Sequence, residues 1–259
     1  AALWIAGPVH AQLAKVEPLP DSPRPGTFTL TLKSGGYDRE AIVHLPKSYR
    51  ADQKPPLVLA FHGAGGDGPG MLRRNGWIDK SEREGFVVVG PTGLPSLPGQ
   101  PANFLTNPRV WNSGQLRPLS PRARIDDVAY VEALLATLKT KVPHDEQKIF
   151  VTGHSNGAGM TFLLGAKLPE RFQALAPVAG MMAVSRPKPS KPLPTLYIIG
   201  TKDPLQPLDG GPVKLPWGDR VNPPVSKYLT DWAEAIHCQT DAKVLSDKGH
   251  RVTLWGRRP

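Results

Sequence analysis

A mostly parallel, twisted α/β sheet with helices on both faces is the fold class that this sequence predicts. Three observations lead to it: two early strand patterns lie a short connection apart, the later strand patterns alternate with helical ones, and the 259 residues contain no internal repeat or linker. Strands that alternate with helices along the chain form parallel sheets covered on both faces, while neighbouring early strands start such a sheet antiparallel.

The first strand is expected at residues 27–32, where Thr alternates with Phe and Leu, and the second at 41–45. Leu57-Val58-Leu59-Ala60-Phe61 is apolar throughout, which suits a strand buried on both faces. A helical pattern covers residues 71–84, and a strand follows at 86–89. Asp126 and Asp127 are expected to cap the start of a helix over residues 125–141, because short carboxylates accept the free N–H groups there. Strands at 148–151, 174–178 and 196–199, with helices at 157–168 and 225–237, complete the alternation, and residues 252–255 read as one more strand. Two Pro-rich stretches, 94–124 and 204–224, each hold one Trp (Trp111, Trp217) and resist assignment. Loops of that length in a compact domain are functional or disordered. Since these follow strands, they are expected to wall a site beyond the strands' carboxyl ends.

Composition excludes several classes. The 30 Pro and 26 Gly stay below the share that marks low complexity, and 39% hydrophobic residues suffice for a core. The formal charge of +10 comes from scattered Lys and Arg, unaccompanied by zinc-finger, RNA-recognition or helix-turn-helix patterns. It reads as solvated surface charge, and nucleic acid is not expected as a partner. No run approaches the roughly 18 consecutive apolar residues of a membrane span. The apolar start, residues 2–11, ends in Val9-His10-Ala11, with small side chains three residues and one residue before Gln12. That pattern resembles the tail of a secretory signal peptide, so residues 1–11 are expected to be its remnant and the protein secreted or periplasmic. Residues 12–259 read as a single domain, expected to be monomeric. Cys238 is the lone cysteine, and its expected partner, if one exists, is not in this sequence.

The sharpest motif is Gly153-His154-Ser155-Asn156-Gly157, a G-x-S-x-G pentapeptide between a strand pattern and an apolar helix pattern. The bare pattern arises by chance in roughly one such chain in eight. Its context makes it the nucleophile elbow of an α/β-hydrolase. A serine hydroxyl needs a base to take its proton, and the oxyanion formed on attack needs donors already aimed at it. The N–H of Asn156 is one expected donor. The other is the N–H of Ala64, in His62-Gly63-Ala64-Gly65-Gly66 after the strand at 57–61. That loop also fits G-x-G-x-x-G, with Gly63, Gly65 and Gly68, but the next strand ends in Gly90-Pro91 rather than in a ribose-binding acid. Chain order then places the triad acid after the elbow, and Asp203 sits just past the strand at 196–199.

The sequence resembles exported α/β-hydrolases grouped with poly(3-hydroxybutyrate) depolymerases, acetylxylan esterases and feruloyl esterases. The resemblance covers about residues 25–259. It rests on Pro55-Pro56-Leu57-Val58-Leu59-Ala60-Phe61-His62-Gly63, Arg109-Val110-Trp111-Asn112, Asp126-Asp127-Val128, residues 153–160 and Gly200-Thr201-Lys202-Asp203-Pro204, with Gly210-Gly211 downstream. It implies Ser155 as nucleophile, Asp203 as triad acid and Trp111 as a wall of the acyl pocket. One departure stands out: members place the catalytic His in a Gly-Gly-His-x-Trp-Pro setting after a further strand, and this sequence has none. The base is therefore expected beyond Pro259, the chain being read as truncated, with His250 as the alternative. His62 and His154 are read as structural.

The expected activity is that of a serine carboxylic-ester hydrolase working through an acyl-enzyme on a polymeric or oligomeric ester, polyhydroxyalkanoate first and feruloyl or acetylxylan esters second. A peptidase of the same fold and a binding member lacking its base are the competing expectations. No cofactor or metal is expected, since H-E-x-x-H and paired cysteines are absent from the sequence.

Overall fold

The hairpin that starts the sheet follows from two consecutive glycines. β1 (Gly26–Ser34) and β2 (Tyr37–Leu45) pair antiparallel, with Ser34 opposite Tyr37. Gly35 and Gly36 between them both have positive φ, 61° and 81°, the backbone that a two-residue turn needs to match strand twist. A computed structural model describes residues 16–116, 118–215, 218–247 and 249–257. The expected signal remnant and Trp217 lie outside these residues.

β3 (Leu57–Phe61) and β4 (Val87–Pro91) are buried along their whole length, as their unbroken apolar sequence requires. Two very short strands, β5 (Leu94–Pro95) and β6 (Arg109–Val110), pair within the first Pro-rich stretch. β7 (Ile149–His154) and β8 (Ala174–Val178) complete a six-stranded sheet of order β1-β2-β4-β3-β7-β8. β1, β2 and β4 pair antiparallel and the remaining pairs are parallel, which gives the expected antiparallel start.

Helices cover both faces. α1 (Gly68–Arg74) places Met71 and Leu72, and α2 (Trp77–Glu84) places Trp77 and Ile78, against the cluster of Ile42, Val58, Ala60 and Val88 on one face. α3 (Asp127–Lys141), α4 (Asn156–Lys167) and α5 (Val225–Ala235) cover the other, where Tyr130, Leu134, Phe162 and Trp232 join Phe28, Leu59, Phe61 and Val89. The single helix expected over 71–84 is two, because Gly76 takes a left-handed φ of 69° between them. Short pairs β9 (Gly211–Val213) with β10 (Arg220–Asn222), and β11 (Cys238–Asp247) with β12 (His250–Arg257), form separate two-stranded sheets.

The strand expected at 196–199 is a partial one. Leu196 N donates to Leu175 O, Ile198 N to Pro177 O and Ala179 N to Ile198 O, so the segment runs beside β8. The ladder bond between these contacts would need an N–H on Pro177, which proline lacks, and only isolated bridges form.

Asp126 caps α3 as expected, accepting from Val128 N and Ala129 N at 2.8 and 3.0 Å. Asp127 corrects its expected role. It is fully buried between Arg39 of β2, at 2.8 Å, and Arg122, and its Oδ2 also accepts from Asn112 N. Two buried guanidinium groups thus share one carboxylate. Asp127→Asn is expected to cost about 3–5 kcal/mol, since it strands both cations in the interior. In a thermal melt the loss should lower the midpoint by on the order of 10 °C. A midpoint within about 2 °C of wild type would show that the cations need no counter-charge.

Candidate active site

Sequence and backbone meet most closely where β7 turns into α4. Ser155 sits at that turn with φ 56° and ψ −117°, a conformation that costs an L-residue about 1–3 kcal/mol. The surroundings hold it there. Ser155 N donates to Val178 O at 2.9 Å, and Ser155 O accepts from Ala158 N and Gly159 N. The motif's glycines are steric requirements: a Cβ on Gly153 would lie 2.2 Å from Gly157 O, and one on Gly157 would lie 2.3 Å from Phe61 O. Gly180, outside the motif, is as constrained, for its Cβ would stand 2.1 Å from Ser155 O. The half-buried Ser155 hydroxyl has no hydrogen-bond partner among the described residues.

The loop after β3 lies against this turn. A Cβ on Gly63 would be 3.2 Å from Ser155 Cβ and 3.3 Å from His154 Nδ1, so the two backbones nearly touch. Among the described residues neither Ala64 N–H nor Asn156 N–H has an acceptor, the latter because it opens α4. The two N–H groups expected to receive an oxyanion thus donate to no described residue.

His62 anchors that loop. Its ring is buried; Nδ1 donates to Gly63 O at 2.7 Å, and Nε2 accepts from Gly93 N at 2.9 Å. These bonds define the neutral ring, and burial pushes its pKa down to about 4. His154 is lowered by burial too, with partial opposition from the Asp203 charge. Asp203, half-buried, accepts from Leu205 N and Gln206 N at 2.8 and 3.0 Å through Oδ1. Its charge reaches His154, Tyr197 and Tyr228, whose hydroxyls are 2.8 Å apart and share the raised pKa of buried phenols, Tyr228 to about 12.

Trp111 is not placed as the resemblance implied. It is fully buried, edge-on to Phe61, stacked on Tyr130 and bonded through Nε1 to His62 O at 3.0 Å. A ring packed on every side cannot wall an acyl pocket. A cavity of about 280 Å³ opens instead beside the β3 loop, lined by Ala64, Met71, Arg74, Asn75, Phe104 and His154. Phe104 is the exposed aromatic there, its ring lying over Gly65. His237 ends α5 in a left-handed turn, exposed, and His250 begins β12 outside the six-stranded sheet, its side chain outside the described residues. Sequence reasoning passed over Arg39, Arg122 and Ser113. Arg39 carried a signal, because it shares the inward face of β2 with Ala41, Val43 and Leu45.

A strand–serine–helix elbow at the carboxyl edge of a mostly parallel sheet, with the glycine-rich loop after β3 packed beside it, defines an α/β-hydrolase. Residues 33–258 match the model of the Esterase family, described as "Putative esterase", and the chain belongs to that family. Over 217 residues it is 26% identical to feruloyl esterase B of Piromyces equi, a match covering 79% of this chain and 37% of that protein. Over 178 residues it is 24% identical to feruloyl esterase C of Emericella nidulans, covering 67% of this chain and 58% of that one. The chain thus spans less than two thirds of the length of the curated relatives it matches. The solved native sOPH structure shares the fold, with a TM-score of 0.60 at 18% identity over 83% of this chain and 78% of that one.

The His62 environment sets a pH dependence. Its folded pKa, about 4, lies below the ordinary 6.5, so the unfolded chain takes up its proton first as pH falls. Stability should be full above pH 6.5 and decline towards pH 4, by about 3 kcal/mol from this residue, with His44 and His154 acting in the same direction. Urea titrations at several pH values check this, and His62→Gln should flatten the decline. An unchanged slope in that variant would exclude His62 as its source.

Proposed function

We propose that this chain hydrolyses carboxylic esters through an acyl-enzyme on Ser155. Ser155 Oγ adds to the ester carbonyl as a base removes its proton, and the oxyanion settles between Ala64 N–H and Asn156 N–H. Collapse expels the alcohol, which takes that proton; a water deprotonated by the same base then adds to the acyl group, and the acyl–Oγ bond breaks as the base returns the proton to Ser155 Oγ and the acid leaves. Asp203 is assigned to orient the base. The base itself is assigned to a histidine whose side chain is outside those described, since His62 is committed to Gly63 and Gly93 and no described histidine bonds Ser155. The observation that carries this reading is the strained Ser155, its hydroxyl and the two nearby N–H groups without hydrogen-bond partners among the described residues.

For the acyl group the reading favours an aromatic acid of the feruloyl kind. Two points support it: the names of the relatives, and Phe104 exposed in the cavity that Ala64 also lines. Hydroxyalkanoate oligomers, the class expected from sequence, are the natural comparison substrates. Export rests on residues 2–11 alone.

Ser155→Ala should lower kcat on nitrophenyl acetate by about 10⁶-fold at unchanged melting temperature. Retention of a tenth of the activity would remove Ser155 as nucleophile. Phe104→Ala should raise KM for methyl ferulate by about tenfold, on the scale of 1–3 kcal/mol of apolar contact, while barely changing acetate. Equal effects on ferulate, acetate and a hydroxybutyrate trimer would take Phe104 out of the acyl site.

A further inference from the structure

We infer that Trp111 is a positioning residue that sets the spacing of the two oxyanion donors, an inference that rests on the serine reading above. Trp111 N donates to Asn156 Oδ1 at 2.6 Å, and Asn156 Nδ2 donates to Trp111 O at 3.2 Å. The Asn156 side chain thus pairs with both polar groups of the Trp111 backbone, as a neighbouring strand would. Ser113 Oγ accepts a further bond from Nδ2 at 3.1 Å. Asn156 is also the residue whose own N–H forms one donor.

The other end of Trp111 reaches the second donor. Its indole N–H bonds His62 O, the carbonyl two residues before Ala64, and the His62 ring holds Gly63 O in turn. One residue, through its indole at one end and its backbone at the other, therefore ties the β3 loop to the first turn of α4. The strut is itself fixed: Phe61 meets it edge-on at 5.0 Å, Tyr130 stacks at 6.5 Å, and Asn112 N is held by the buried Asp127 at 2.7 Å. The Trp111 ring is fully buried, so the indole bond to His62 O is made away from solvent. An oxyanion needs each donor within about 2.7–3.1 Å of one point, so a strut joining the two loops governs transition-state binding rather than substrate binding.

The experiment compares wild type with Trp111→Phe, which keeps an aromatic ring between Phe61 and Tyr130 and removes the indole N–H. Per active site, counted by titration, kcat on nitrophenyl acetate should fall about tenfold or more while KM stays within about twofold. The affinity of an alkyl boronic acid, which forms a tetrahedral adduct on Ser155, should weaken in parallel; that of the product acid should not change. A merely structural Trp111 would reduce the number of active sites and leave kcat per site and boronate affinity at wild-type values, which overturns the proposal. Should Trp111→Phe fail to fold, site-specific replacement of the indole by its benzothiophene isostere removes the same N–H at constant volume, with the same expected signature. Wild-type turnover that survives Ser155→Ala would sink the serine reading and the strut with it. Turnover that depends on Ser155 but ignores both Trp111 replacements would sink the strut alone.

Discussion

Backbone packed directly on backbone around Ser155 is the constraint from which the rest of the site follows. Gly157 lies against the carbonyls of Phe61 and His62, Gly153 against Gly157, and Gly180 against Ser155 O, at separations that leave no room for a methyl group. These contacts draw the ends of β3, β7 and β8 together. The register agrees, with Phe61 opposite Gly153 and His154 opposite Val178. The loops that follow β3 and β7 therefore leave the sheet side by side, and one brings Ala64 to the serine that the other presents. The unfavourable φ of Ser155 persists because three hydrogen bonds to its own backbone and a buried helix behind it specify no other conformation.

A second constraint holds the long segment after β4 onto this frame. Asp127 joins Arg39 on β2, Arg122 in the segment and the backbone of Asn112, so one carboxylate ties sheet, loop and helix together. Arg39 also lies 3.8 Å over the Tyr130 ring, which stacks on Trp111. A buried ionic cluster of this kind adds little net stability over an apolar one, yet breaking it is costly. Its place beneath the loop that grips Asn156 accounts for the expense. The electrostatics of the interior and the packing around Ser155 are in this way one structure.

Much of this was legible in local patterns. Strand and helix alternation, the capping carboxylate of Asp126, and a serine between small residues at a strand-to-helix turn are properties of short stretches, and the fold and the elbow follow from them. The split at Gly76 and the interruption beside β8 were not: the first depends on which φ the glycine adopts, and the second on which strand Pro177 faces. Asp126 and Asp127 show the limit most clearly. Identical and adjacent, one caps a helix in solvent while the other neutralises two arginines that arrive from 88 residues before it and 5 residues before it.

Trp111 marks the same boundary within the site. An aromatic residue in a Pro-rich loop near the Ser155 turn suits a pocket wall and a core strut equally well, because sequence specifies side-chain chemistry and not which surface it meets. By itself the sequence determined the alternation of strands and helices that makes the parallel sheet, the turn that presents Ser155, and the glycine-rich loop after β3, since each is encoded in a contiguous run whose conformation its own residues dictate. Only the tertiary structure decided that Trp111 is buried, that Phe104 lines the cavity and that His62 is held neutral between two backbone groups. Those outcomes depend on close packing between segments distant in the chain, where a single buried hydrogen bond or charge fixes what the local pattern leaves open.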